Sequence, residues 1–107
     1  MDFSHTLEQM LAAAKGAAGV HWKEIHSYLE EEFLTAKQEG EWLALEVAHG
    51  SKSREQAKIE AEQIIDSLRD VENAVHAGLL AAAQAAIDAA IKVLGGTVNS
   101  AVGFALF

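Results

Sequence analysis

The sequence has no cysteine, no proline and only seven aromatic residues among 107. Without cysteine it forms no disulfide, binds no zinc through thiolates and offers no thiol nucleophile. Without proline, nothing in the chain forbids a helix interior. Cations are scarce too: eight Lys and Arg stand against sixteen Asp and Glu, for a net charge of −8 with histidine neutral. Phosphate recognition needs clustered cations, and these are scattered, so nucleic acid is not expected as a partner. No run of about 18 uncharged apolar residues occurs, so an ordinary membrane-spanning helix is not expected. The opening MDFSHTLEQML is acidic, unlike a secretory leader, and points to a cytoplasmic protein. There is no glycine-rich phosphate loop and no Ser-His-Asp arrangement. Enzyme activity independent of a metal is therefore not expected.

What the chain does have is helix-forming sequence of the Ala, Leu, Glu, Gln and Lys type. Over 53–94, a step of 3.6 residues per turn places Ala57, Ala61, Ile64, Ile65, Leu68, Val75, Leu79, Ala82, Ala83, Ala86, Ala90 and Leu94 on one stripe. Over 3–48, Leu7, Leu11, Ala14, Ala18, Ile25, Leu29, Phe33, Ala36, Gly40, Leu43 and Val47 hold the same register. Ser4 is the expected N-cap. Gly16 and Gly19 weaken the first stripe by roughly 1 kcal/mol each against alanine, but its phase continues across them, so a continuous or gently bent helix is expected.

Punctuation is clearest at His49-Gly50-Ser51-Lys52-Ser53. Gly50 suits a left-handed helix end, and Ser53 with Gln56 fits a capping box. A turn this short makes the flanking helices antiparallel. Gly95-Gly96 is expected to end the second helix. The uncharged remainder, TVNSAVGFALF, is expected to dock as a short helix or tail. The expectation is an all-α chain: helix over about 4–48, turn at 49–52, helix over about 53–94 and an apolar tail at 95–107. Its seam is rich in alanine and buries little area, so the hairpin should dimerise, giving a four-helix bundle or a larger array.

Two acids interrupt the stripes. Glu72 sits in the middle of the second, with His76 one turn on, and Glu32 lies on the first. An antiparallel hairpin turning near residue 50 brings them within about a turn of each other. A buried carboxylate needs a partner, and a metal is one solution. Two hairpins would supply four Glu and two His, a set that resembles half of a ferritin-like carboxylate site repeated by symmetry. That resemblance implies iron or another divalent metal bound by Glu32, Glu72 and His76 across a dimer. The spacing departs from the pattern, since Glu72 and His76 are four apart rather than three. The plainer solution is an ion pair between Glu32 and Arg69, with Asp88 and Lys92 pairing along their own helix.

The leading functional expectation is a non-enzymatic, self-associating helical protein, a structural or regulatory module that engages a second copy and another protein. The alternative is the ferritin-like metal-binding protein. A second alternative is membrane association through residues 77–107, disfavoured by the acidic charge.

Overall fold

In the computed structural model, residues 2–107 are described and the fold is all-α. Four α-helices account for most of the chain: α1 (Thr6–Ala18), α2 (Trp22–Ala48), α3 (Arg54–Asp70) and α4 (Leu80–Val102). Short 3-10 turns at Gly19–His21, Val71–Ala74 and Ala77–Leu79 join them.

The expected turn is present in detail. Gly50 adopts φ +73°. The Ser51 N–H reaches the Glu46 carbonyl at 2.9 Å, and the Gly50 N–H reaches Val47 at 3.1 Å. This is the six-to-one, five-to-two closure of a left-handed helix end. Ser53 then caps α3, and its capping box with Gln56 is complete.

Each of the two long helices expected from the sequence is broken. A straight helix over 4–48 would run roughly 67 Å at 1.5 Å per residue, yet the molecule is 44 Å along its longest axis. The first break is at Gly19, with φ +61° and ψ −130°. The second is at 71–79, where Val75 and His76 are extended, with ψ 139° and 140°. The predicted stop at Gly95-Gly96 does not occur; α4 runs through it to Val102 and ends on Gly103 at φ +83°. Ser4 is not the N-cap either. Helix α1 starts one residue later, after His5, and Ser4 donates to Asp2 instead, N–H at 2.9 Å and hydroxyl at 2.6 Å.

The breaks turn the chain into an up-down-up-down arrangement. Helix α3 lies antiparallel to α2 by way of the 49–53 turn. It is also antiparallel to α4, because Arg54 meets Phe104 at one end and Arg69 meets Asp88 at the other. Helix α1 runs back along α4, its N-terminal end beside Val93 and Thr97, and this is the most extensive helix pairing in the fold. Helix α2 runs parallel to α4 and crosses it where Gly40 faces Leu94 and Val98. A Cβ on Gly40 would lie 3.0 Å from Leu94 Cδ1.

One core serves all four helices. Met10, Ile25, Leu29, Phe33, Leu68, Ile87, Leu94 and Val98 are fully buried in it, with alanines filling the seams between. The stripes read from the sequence supply five of these eight; Met10, Ile87 and Val98 lie outside them. A single chain thus closes the core that the sequence reading assigned to two.

The tail at 103–107 docks as expected. Asn99 holds it, its Oδ1 accepting the N–H groups of Leu106 at 2.7 Å and Phe107 at 3.0 Å. Leu106 enters the core, Phe107 packs on Gly95, and Arg54 covers the Phe104 ring at 4.2 Å. Helices α3 and α4 touch little directly, so the tail and the Arg69–Asp88 pair close the seam between them.

Candidate functional site

The two interrupting acids occupy different settings. Glu32 is exposed on α2 rather than turned into the core. Glu72 lies in the 3-10 turn after α3, half-buried, and its Oε1 is buried without a hydrogen-bond partner. His76 is exposed, and its Nδ1 accepts the Gly78 N–H at 3.1 Å, capping the turn into α4. Among the described residues, no three His, Asp or Glu side chains are grouped as an ion would need. Arg69 pairs with Asp88 of α4 at 3.0 Å, not with Glu32, and this takes Asp88 away from the expected pairing with Lys92.

Three of the other four histidines lie beside carboxylates three or four residues on: His5 with Glu8 at 3.4 Å, His21 with Glu24 at 3.7 Å and His26 with Glu30 at 3.0 Å. His26 also stacks against Trp22, with centroids 5.9 Å apart. All are surface pairs on one helix, which contribute little to stability.

A hollow of about 780 Å³ lies between the N-terminal segment and α4. Phe3, Gln9, Lys92, Thr97 and Ser100 line it with Asp2. It has one amine, one carboxylate and two hydroxyls but no imidazole.

The surface is divided by charge. Residues 22–70, which form α2 and α3, carry twelve of the sixteen carboxylates and six of the eight cations. Three-quarters of the net charge therefore sits on one pair of helices. On their outer flank, two shallow hollows of about 240 and 400 Å³ share Glu60 and Gln63 as a common wall. Trp42 lines the first and Ile59 the second. Trp42 is 63% exposed and Ile59 57% exposed, in a chain with few large apolar side chains to spare. Lys52 ties the rim together, bonded to Glu46 at 2.8 Å and to Glu60. Those carboxylates, Glu46 before Glu60, hold its amine above the usual lysine range.

The opposite end of the bundle is sparsely charged, with Glu72 the one charged side chain of its two connecting segments. It is built from the Gly19–His21 reversal and the 71–80 connection, which the antiparallel packing of α1 and α4 brings together. No Asp, Glu, Lys or Arg occurs in 16–22 or 73–87. Val20 is 81% exposed there and Leu80 36% exposed.

Periodicity alone did not find the flank. Its signal was available. Ile59 is off the buried stripe of α3, and helical spacing surrounds it with Glu55, Glu62 and Asp66. The Asn99 clip left no comparable trace, since it joins a helix to a tail of undefined path.

No protein-family model matches the chain, and neither a curated protein nor a solved structure matches it.

Proposed function

We propose that the protein is a non-enzymatic, self-associating helical interaction module. The observation that carries this reading is the pairing of an exposed Val20 with a sparsely charged, small-residue end in a strongly acidic molecule. Apolar side chains exposed singly are ordinary. A valine at the tip of a helix reversal lies within 16–22, a stretch that carries no Asp, Glu, Lys or Arg. Two such ends would bring fewer carboxylates together than two α2–α3 flanks, which would repel each other. The chain's own core is closed, so association here joins folded units.

A second reading places this sparsely charged region on a lipid surface, through residues 77–107. Helix Ala77–Val102 is long and apolar enough to cross a membrane by length and composition, with a mean hydropathy of 1.5 in its richest window and 28% of that window buried. Repulsion between a −8 protein and anionic lipid opposes this reading. Sedimentation velocity across a concentration series tests the two together. Wild-type protein should shift reversibly from monomer to dimer, and Val20→Glu should remain monomeric with unchanged helicity. A wild type that stays monomeric throughout, but floats with zwitterionic vesicles, would replace the first reading with the second.

A further inference from the structure

The geometry points to a specific occupant for the α2–α3 flank: one basic, amphipathic helix of another protein, anchored by apolar side chains on Trp42 and Ile59. The inference rests on the reading of the chain as an interaction module. It concerns a different surface from the one proposed for self-association.

Three observations select that occupant. First, the exposed anchors are a tryptophan and an isoleucine on adjacent antiparallel helices, one in each of two hollows separated only by Glu60 and Gln63. The first hollow lies between α2 and α3, and the second continues it along α3 with Ile59 as its apolar residue; a third helix can engage two such anchors through residues spaced three and four apart. Tryptophan is also the side chain that most often dominates such contacts.

Second, the rim around both anchors is acidic. Glu39 lies one turn before Trp42, and Glu62 one turn after Ile59. Asp66 extends the α3 side of the rim a further turn. Among the described residues none of these three takes part in an ion pair. Lysine and arginine beside the partner's apolar stripe would meet unneutralised carboxylates, and that complementarity both steers and orients the encounter.

Third, the same charge disfavours the other candidates. A second copy would oppose like charges across these hollows. An anionic membrane or a nucleic acid would be repelled as a whole.

The test uses designed peptides of equal length. One is a leucine–lysine amphipathic helix, one has the same leucines with glutamate for lysine, and one keeps the lysines with serine for leucine. Binding to the full-length protein is read by fluorescence anisotropy of a labelled peptide. The leucine–lysine helix should bind, and tenfold more salt should weaken it at least tenfold. Trp42→Ala should weaken it at least tenfold. So should Glu39→Gln, Glu62→Gln and Asp66→Asn combined, with most of the salt dependence removed. All these side chains are exposed, so helicity by circular dichroism should be unchanged. Val20→Glu should bind as the wild type does, which separates this proposal from the self-association reading. Equal binding of the glutamate or the serine peptide would overturn the proposal, as would an unchanged affinity in Trp42→Ala.

Discussion

Gly16 and Gly19 are three residues apart and do opposite things. Gly16 is in the interior of α1, exposed, with open space where a side chain would go. Its cost is only the chain entropy that glycine loses in a helix. Gly19 carries the reversal itself, at φ +61° and ψ −130°, a conformation that side-chain-bearing residues avoid. Gly16→Ala should therefore raise stability by up to about 1 kcal/mol, and Gly19→Ala should lower it by roughly 1–3 kcal/mol. Urea titrations of the two variants check both signs. Two destabilised variants would mean that α1 is not a regular helix across Gly16.

These two glycines also show how far residue-level reading reaches. Both were visible as weak points in the sequence, and the unbroken phase of the stripe argued for continuity across them. Phase reports which side of each helix is buried. It does not report the direction of the axis, because a helix that folds back can keep burying the same positions in the same rhythm. Likewise Glu72 was legible as a misfit in a buried stripe, but the chain resolves the misfit by leaving the helix. Val71, Asn73, Val75, His76 and Gly78 are all modest or poor helix formers clustered there. Read together they mark a break.

At the scale of elements, the decisive piece is the tail on α4. Glycine at 95 and 96 was expected to stop the helix, but two glycines cost a helix only about 2 kcal/mol, and buried neighbours on both sides outweigh that. Gly95 is there because a Cβ would lie 2.8 Å from Phe107 Cβ. Asn99 fastens the same tail, and Arg54 covers it from α3. Asn99→Ala should free the amides of Leu106 and Phe107, raising their hydrogen exchange while the amides of α2 remain protected. Protection unchanged at 106–107 would show that apolar packing alone holds the tail.

The turn at 49–53 was the most legible element, because its signals are local: a left-handed glycine and a capping serine act within a few residues. The α3–α4 seam was the least legible. It is closed by a long-range ion pair and a docked tail, neither of which has a periodic signature.

At the scale of the whole molecule, charge and polarity are separated along the bundle. The core that the sequence assigned to two hairpins is completed by one chain, since the reversals at Gly19 and at 71–79 stack four short helices where two long ones were expected. The association proposed above would then use the surface, where a sparsely charged end and an acidic flank make different demands on a partner. The arrangement depends on α1 folding back along α2, and that is directly measurable. The chain has no cysteine of its own, so Glu8→Cys and Thr35→Cys, both at exposed sites, accept spin labels cleanly. Double electron–electron resonance should then give a separation below about 25 Å for helices packed roughly 10 Å apart. A distribution centred near 40 Å, the span of a straight helix between those positions, would contradict the account.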